Sequence, residues 1–456
     1  MSLTLAILWG SSLSATCQNY PAVSYGTESF LVVWQGDHVG GKGVYGMRVA
    51  EDGKLLDSVA FPIHPDGSYA YPDVAFGGGN WGVIAWTEVG DGTYRLDFVR
   101  VSPEGDVLDP SPTQVCSGDV YRGALAFDGL FTYLAVWYDN SAEEIRGARI
   151  SVTGTVLDPW GFTVASARRG AEPEICYDGN AWLVVWNDWI GAKLGTFGAR
   201  VSSDGTVLDP AGFVVRDPDE SNYQPSVSAG GGKSLVVWEE SEDTYGAFVD
   251  PGGSVLAPGT FNISLFHSPG VAYGAEKWLV VMERPHQDFF TPKMDASFVD
   301  CTGGVTLLDA GNDGIGSGWG PASVAFGTSS WLAVWWTGTD WGTYEPNIAG
   351  RLVDASGTLQ AQVLASQFVN CRLDLYAQGT TNAISTVAVD QAFDICVEPI
   401  QATPDDPIRV RFSSDELQDG DATGSWTAGM SGQKRVAARG SHGASLLVAK
   451  RRFGLN

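Results

Sequence analysis

The sequence lacks most of the features that identify familiar enzymes or nucleic-acid-binding proteins. Its 456 residues include only five histidines, which form no cluster, and no G-x-S-x-G, H-E-x-x-H or Walker motif occurs. Basic residues are also scarce, because 27 Lys and Arg stand against 53 Asp and Glu and give a formal net charge of −26. Neutralising phosphates needs a cationic surface, so we expect no nucleic-acid partner.

Cysteine pairs, long apolar runs and helical periodicity are missing as well. The six cysteines include no C-x-x-C pair, so the sequence predicts no structural metal site and permits disulfides without requiring them. Outside the N-terminus, no segment approaches the roughly twenty apolar residues of a membrane-spanning helix. The chain instead contains 58 glycines and 22 prolines spread along its length. This composition predicts an all-β protein with many turns and short strands.

A short segment recurs seven times along the chain. Each copy has a first strand, usually opened by proline, then a turn, then an apolar run, as in PEICYDGNAWLVVW. The residues that close these runs are 44 to 53 positions apart, and units of that period bury their apolar faces against neighbouring copies. The closing residues, which we interpret as structural anchors, are Trp34, Trp86, Trp137, Trp186, Trp238, Met282 and Trp335.

The second strand of each copy, which contains the apolar run, is apolar on both faces. This pattern indicates that the strand is covered on both sides. Small antiparallel sheets packed radially meet this requirement. We therefore predict an all-β β-propeller of four-stranded blades of about 50 residues, with eight blades favoured. Residues 20–369 hold the seven clear repeats, and residues 370–413 are interpreted as a degenerate eighth blade. Seven blades followed by an irregular C-terminal segment is the alternative.

The two ends of the chain lie outside the clear repeats. Residues 1–19 contain an apolar stretch followed by small residues, which predicts a secretory leader and a secreted or cell-surface location. A strand that closes the array is the alternative. A lipid anchor at Cys17 is a further option, although Ser14 stands where a lipoprotein signal would carry leucine. Residues 414–456 are interpreted as an irregular basic tail with half a repeat.

Four copies carry an arginine and an aspartate placed symmetrically about a glycine-containing turn. If the turn is a two-residue hairpin loop, each arginine faces its aspartate across the third and fourth strands. We interpret the pairs as cross-strand ion pairs; a ring of arginines that binds an anion is the alternative. The pairs are Arg48 with Asp57, Arg100 with Asp109, Arg149 with Asp158, and Arg200 with Asp209.

Loop composition predicts where a ligand would bind. In an up-and-down blade the connections after the second and fourth strands share one rim, and here they vary in length and carry aromatic and acidic residues. Such residues suit a sugar or a protein surface; ordinary aromatics packed on blade edges are the alternative. The candidate ligand-binding residues are Tyr69, Tyr71, Asp188, Trp189, Tyr223, His286, Asp288, Phe289, Phe290, Trp336, Trp341 and Tyr344.

The units YDGNAWLVVWND and GARVSSDGTVLDPAGFVV resemble a tandem repeat of secreted proteins and lipoproteins of myxobacteria and related bacteria. The resemblance covers roughly residues 20–365 and implies an extracytoplasmic propeller, but it implies no activity and no functional residues.

The sequence as a whole leads us to expect a monomeric, noncatalytic propeller that binds a carbohydrate or a protein on the variable rim. The alternatives are a glycan-acting hydrolase with carboxylates around the central channel and a structural or adhesive component of the cell surface. No cofactor is expected, although acidic loops at Asp309 and Asp415 offer oxygen ligands for calcium without matching an EF-hand.

Overall fold

The structure is a computed structural model, and it falls into two compact units. One unit contains Ala15–Ala365, and the other contains Met1–Ser14 together with Ser366–Asn456. None of the described residues forms a helix long and apolar enough to cross a membrane. The described residues are 3–6, 19–38, 41–57, 60–64, 71–90, 93–168, 171–217, 222–241, 243–257, 259–284, 292–308, 314–337, 347–363, 372–377, 383–388, 407–412, 422–427, 436–439 and 445–448.

Each of the seven sequence copies folds into one antiparallel sheet whose four strands follow in chain order. These sheets are the blades of a propeller, and we number all strands β1 to β36 along the chain. Blade 1 contains β2 (Asn19–Tyr25), β3 (Ser29–His38), β4 (Gly41–Ala50) and β5 (Phe61–His64). Blade 2 contains β6 (Asp73–Gly77), β7 (Asn80–Gly90), β8 (Thr93–Val101) and β9 (Thr113–Gly118). Blade 3 contains β10 (Val120–Phe127), β11 (Thr132–Asp139), β12 (Glu144–Ser151) and β13 (Phe162–Ser166).

The remaining four blades repeat this plan. Blade 4 contains β14 (Glu174–Tyr177), β15 (Ala181–Ile190), β16 (Lys193–Ser202) and β17 (Phe213–Arg216). Blade 5 contains β18 (Asn222–Gly230), β19 (Lys233–Glu240), β20 (Asp243–Val249) and β21 (Phe261–Ser264). Blade 6 contains β22 (His267–Gly274), β23 (Lys277–Arg284), β24 (Lys293–Val299) and β25 (Val305–Leu307), and the short β26 (Gly316–Ser317) also pairs with β24. Blade 7 contains β27 (Trp319–Phe326), β28 (Ser330–Thr337), β29 (Asn347–Asp354) and β30 (Leu359–Val363).

The first strands of the seven blades form a closed inner ring. Each first strand contacts the first strand of the next blade, and β27 of blade 7 contacts β2 of blade 1. Across this junction the Val23 N–H donates to Ser323 Oγ at 3.1 Å, and the Thr328 N–H donates to the Glu51 carboxylate at 2.6 Å. The ring therefore closes with seven blades. The expectation of eight blades is wrong, and the alternative of seven is confirmed.

The strands that we assigned to an eighth blade belong to a sheet of a different kind. Its strand order is β32-β31-β1-β33-β34, and β1 runs parallel to β33, whereas a blade is an antiparallel meander in chain order. Residues 370–413 keep the repeat period but lack the tryptophan-closed strand that packs between blades, so period alone was misleading. The strands are β1 (Leu3–Ala6), β31 (Arg372–Ala377), β32 (Ala383–Ala388), β33 (Pro407–Phe412) and β34 (Ala422–Thr427), and β35 (Val436–Arg439) pairs separately with β36 (Ser445–Val448).

The core of the propeller lies between adjacent blades. All seven anchor residues are at most 5% exposed, and each lies on the second strand of its blade. Trp186 of blade 4, for example, belongs to a buried cluster that includes Leu134 and Val136 of blade 3. Burying apolar surface at about 25 cal/mol per Å² makes these contacts the main stabilising contribution. The two-sided apolar pattern of the sequence therefore reflects packing against the neighbouring blade.

The turns between the third and fourth strands contain three residues and not two. In blade 1 the Gly53 N–H donates to Ala50 O at 2.9 Å and the Ala50 N–H donates to Lys54 O at 2.8 Å, while Gly53 has a φ of 82°. A type I turn followed by a left-handed glycine has this geometry. The register moves by one residue as a result, and Arg48 lies opposite Leu56, whose N–H donates to Arg48 O at 3.0 Å.

The four arginine–aspartate pairs form despite the shifted register, because each aspartate turns its carboxylate back onto the arginine. Asp209 accepts hydrogen bonds from the backbone N–H of Arg200 at 3.0 Å and from its Nε and Nη2 at 2.7 and 2.9 Å. The Nη1 of Arg200 donates to Pro251 O of the next blade at 2.8 Å. The guanidinium groups thus link neighbouring blades. The other pairs are Arg48 with Asp57, Arg100 with Asp109, and Arg149 with Asp158.

Candidate functional site

The structure describes five of the twelve predicted ligand-binding residues, and they lie on blades 2, 4, 5 and 7. Trp189 and Tyr223 are 40% and 46% exposed. Trp336 is partly buried, donates its indole N–H to Gly320 O at 3.1 Å and stacks on Trp319 with ring centroids 5.7 Å apart. The residues outside the described part of the chain are Tyr69, His286, Asp288, Phe289, Phe290, Trp341 and Tyr344.

The two other described candidates differ in their surroundings. Asp188 accepts hydrogen bonds from the backbone N–H groups of Arg168 at 3.1 Å and Trp189 at 2.6 Å, so its carboxylate holds β15 to the segment that follows β13. Tyr71 lies against several aromatic and charged side chains of blades 1 and 3. Of the five described candidates, Tyr71 is the one that lies in a cluster of aromatic and charged side chains.

Tyr71 occupies a position that recurs at the start of the first strand in every blade. At this position the backbone has a φ of 54° at Tyr20, 42° at Arg122, 47° at Gln224 and 53° at Ser268, and the strand register shifts there. Non-glycine residues rarely adopt positive φ, and such strain concentrates at binding and catalytic sites. We call the seven residues at this position the entrance ring: Tyr20, Tyr71, Arg122, Glu172, Gln224, Ser268 and Gly320.

The entrance ring lies at the variable rim, because each first strand begins where the second strand ends. Four side chains of blades 1 to 3 meet there, and we call Tyr20, Tyr71, Tyr121 and Arg122 the tyrosine–arginine cluster. The guanidinium carbon of Arg122 lies 4.7 Å from the ring centroid of Tyr71, 5.9 Å from that of Tyr20 and 5.7 Å from that of Tyr121. The rings of Tyr20 and Tyr71 are 4.1 Å apart. Burial raises the pKa of Tyr71 to about 12, so its hydroxyl stays protonated.

The cluster rests on the scaffold through the anchor Trp86. The centroid of the Trp86 ring lies 5.5 Å from that of Tyr71 and 5.6 Å from that of Tyr121. The Trp86 indole N–H donates to Val120 O at 2.6 Å, and its ring stacks on Tyr94 at 4.4 Å. A buried, hydrogen-bonded tryptophan therefore fixes the positions of the two tyrosines.

Three carboxylates stand beside the cluster, and two of them accept hydrogen bonds from described residues. Glu172 accepts a hydrogen bond from Arg122 Nη1 at 3.0 Å. Asp73 accepts the backbone N–H of Val74 at 2.8 Å with one oxygen and that of Leu125, in the next blade, at 2.7 Å with the other. Glu174 is more than a third exposed and makes no hydrogen bond or ion pair with any described residue. Glu174 is thus the carboxylate available to a ligand.

The electrostatic setting of Glu174 favours its protonated form. Enclosure by the inner ring raises the pKa of Glu174, and the nearby Asp73 carboxylate raises it further, while Arg122 acts in the opposite direction. Burial raises the pKa of Asp73 as well, against its two backbone hydrogen bonds. Because the Glu174 side chain meets solvent, water moderates the size of its shift but leaves its direction.

A second group of polar residues occupies the entrance ring in blades 5 to 7. Glu239 accepts the Ser268 N–H at 3.2 Å, and Glu283 accepts the Gly320 N–H at 2.7 Å. His267 Nδ1 lies 3.2 Å from Ser268 Oγ, and its Nε2 lies 4.0 Å from Glu283. Burial raises the pKa of Glu283. Both carboxylates hold backbone groups of the next blade, so this half of the entrance ring joins blades together.

The opposite rim offers less chemistry. A cavity of about 550 Å³ lies there between tight turns of blades 3 to 5. Its carboxylates serve their own turns: Asp128 accepts the N–H groups of Leu130 and Phe131 at 2.8 Å, and Asp178 accepts the N–H of Asn180 at 2.8 Å. We therefore place the candidate site at the entrance ring of blades 1 to 4.

The part of the chain that the structure describes provides no site for a metal ion. No group of three or more His, Cys, Asp or Glu side chains there is placed to hold a metal ion. The acidic loops at Asp309 and Asp415, named above as calcium candidates, lie outside the described residues.

Sequence reasoning missed most of the entrance ring, because it searched the loops. The signal was present in the repeats: the residue before the proline changes from copy to copy, through Tyr20, Glu172, Gln224 and Ser268, while the rest of the strand stays similar. A variable position in an otherwise uniform repeat indicates a role other than packing. The residues missed at the candidate site are Tyr20, Asp73, Tyr121, Arg122, Glu172 and Glu174.

No model of a known protein family matches the chain, and no curated protein matches it. Solved propeller structures do. The β-propeller domain of the Trilobed protease from Pyrococcus furiosus aligns with 76% of this chain and 98% of its own, at 11% identity and a TM-score of 0.45. The GH43_1 enzyme from Xanthomonas citri complexed with xylotriose aligns with 75% of this chain and 90% of its own, at 14% identity and a TM-score of 0.33. A thermostable family-43 glycoside hydrolase aligns with 53% of this chain and 92% of its own, at 10% identity and a TM-score of 0.36.

Proposed function

We propose that the protein is a binding propeller that takes a carbohydrate at the entrance ring of blades 1 to 4. The observation that carries the proposal is the pairing of partly exposed tyrosine rings with charged groups in one place. The C–H faces of a sugar stack on aromatic rings, and its hydroxyls accept and donate hydrogen bonds. Tyr20, Tyr71 and Tyr121 provide the rings, while Arg122 and Glu174 provide polar contacts.

The engagement of the carboxylates favours binding over catalysis. A glycoside hydrolase needs two carboxyl groups free to act on the substrate. Both oxygens of Asp73 accept backbone N–H groups, and Glu172 is paired with Arg122. Among the described residues at this site, Glu174 alone is uncommitted.

We expect Tyr71→Ala to weaken binding of an oligosaccharide by about tenfold, since a lost aromatic contact costs roughly 1.4 kcal/mol. A glycan array identifies the ligand, and calorimetry then measures its affinity for both proteins. Tyr223→Ala is the matched control, because Tyr223 is an exposed tyrosine on blade 5 that lies outside the cluster. Loss of affinity in Tyr223→Ala with none in Tyr71→Ala would move the site to blade 5 and contradict the proposal.

Glycan hydrolysis is the second candidate function, and the raised pKa of Glu174 favours it. A carboxyl group that stays protonated near neutral pH is the usual general acid of a glycosidase. Release of reducing ends from oligosaccharides by the wild-type protein, lost in Glu174→Gln, would establish this activity. Saturable binding without release of reducing ends would support the binding function instead.

A further inference from the structure

The charges around the site specify its ligand more narrowly, and this inference rests on the proposed carbohydrate site. We infer that the preferred ligand is a cationic sugar, one with free amino groups, whose ammonium group lies against Glu174.

Pairing of the charges leaves Glu174 uncompensated. Arg122 and Glu172 neutralise each other through their 3.0 Å contact. The donors to Asp73 are neutral backbone N–H groups, so its charge, when ionised, is not cancelled by a cation. Glu174 contacts no described cation. When Asp73 and Glu174 are ionised, the site holds more negative than positive charge, and a ligand that brings an ammonium group stabilises that ionised form.

For an anionic sugar the charges around the site are unfavourable. A uronic acid or a sulfated sugar needs a cation that is free to pair with it. Arg122 is the arginine of the cluster, and its guanidinium already binds Glu172 and packs over Tyr71. A neutral sugar can stack on the tyrosines and donate a hydroxyl to Glu174, but it brings no positive charge to the carboxylate. The geometry thus ranks cationic sugars first, neutral sugars second and anionic sugars last.

Release of protons on binding is a second sign that the ligand is cationic. The groups that act on Glu174 are Asp73, Arg122 and Glu172, and their combined effect with enclosure is to hold its pKa above the ordinary value. An adjacent ammonium group stabilises the carboxylate and lowers that pKa. Binding of a cationic sugar will therefore release protons from Glu174, while binding of its neutral counterpart will not.

The test compares a glucosamine tetramer with its fully N-acetylated counterpart and with a galacturonic acid tetramer, by calorimetry on the full chain. We expect the glucosamine tetramer to bind at least tenfold more tightly than the N-acetylated one, with proton release seen as a buffer-dependent heat. Glu174→Gln should abolish both the preference and the proton release. Glu104→Gln, at an exposed turn, is the control for nonspecific attraction by the acidic protein.

The outcomes separate this inference from the proposed function. Equal binding of the charged and N-acetylated tetramers would overturn the cationic preference and leave the carbohydrate site standing. Equal loss of glucosamine binding in Glu174→Gln and Glu104→Gln, or equally tight binding of tetralysine, would show attraction to net charge and also overturn the inference. Binding of no sugar from the array or from these tetramers would overturn the proposed function itself.

Discussion

Trp238→Ala is expected to lower the free energy of unfolding of the propeller by about 3–5 kcal/mol, the usual cost of removing a fully buried tryptophan. Trp238 lies on β19 and has no exposed surface. It packs with Leu183 and Val185 of blade 4 and with Val227 of its own blade. The substitution leaves a cavity between two rigid sheets, which cannot collapse to fill it.

Urea unfolding followed by circular dichroism measures this loss, and Trp160→Ala is the matched control. Trp160 is 89% exposed in a loop of blade 3, so its replacement should change stability by less than about 0.5 kcal/mol. Equal unfolding midpoints for the Trp238 variant and the wild type would contradict the packing of the second strands between blades.

The sequence was sufficient to predict the blade but not the number of blades. Two-sided apolar strands that end in tryptophan require neighbours on both sides, and a ring of sheets provides them. Closure of the ring depends on a contact between distant repeats, here between Ser323 and Val23. The sequence of a single repeat does not indicate this contact. A segment with the right period but without the anchor, at 370–413, therefore could not be told from a blade by spacing.

The register of the hairpins between the third and fourth strands could not be predicted from the sequence for a similar reason. A glycine such as Gly53 fits both a two-residue hairpin and a three-residue loop with a bulge, because both require positive φ. The ion pairs form in either case, since an aspartate side chain spans the difference of one residue. The candidate site was missed because Tyr20, Arg122 and Glu174 come from different repeats and come near one another only when consecutive blades pack side by side.

The link between blades is made in two chemically different ways, which permits a sharp test. In blade 4, Arg200 pairs with Asp209 and donates to Pro251 O of blade 5 at 2.8 Å. In blade 6 a phenylalanine, Phe298, takes the place of the arginine. There Lys277, from the second strand, lies 4.0 Å from the Phe298 ring centroid and donates to Ala355 O of blade 7 at 2.6 Å. Both arrangements bring a cation to the same turn carbonyl of the next blade.

Arg200→Phe alone should lower the free energy of unfolding by about 2 kcal/mol, between the values for exposed and buried ion pairs, because the pair is only about one-fifth exposed. The triple variant Ala181→Lys, Arg200→Phe, Asp209→Ala transfers the arrangement of blade 6 to blade 4 and should recover most of that loss. Ala181 stands, like Lys277, directly before a buried tryptophan on the second strand. Urea unfolding of the three proteins measures both effects, and no recovery in the triple variant would contradict the equivalence of the two links.

The pH dependence of the same comparison identifies the ion pair as the cause. The hydrogen bond from Arg200 lowers the pKa of Asp209 below its ordinary value of 3.8 in the folded protein. A carboxyl group with a lowered pKa stabilises the fold above its unfolded-state pKa, and that contribution disappears as the pH falls through the folded-state pKa. The difference in stability between the wild type and Arg200→Phe should therefore be constant near neutral pH and shrink below about pH 4. A difference that stayed constant into acid would assign the loss to packing of the arginine side chain and not to its charge.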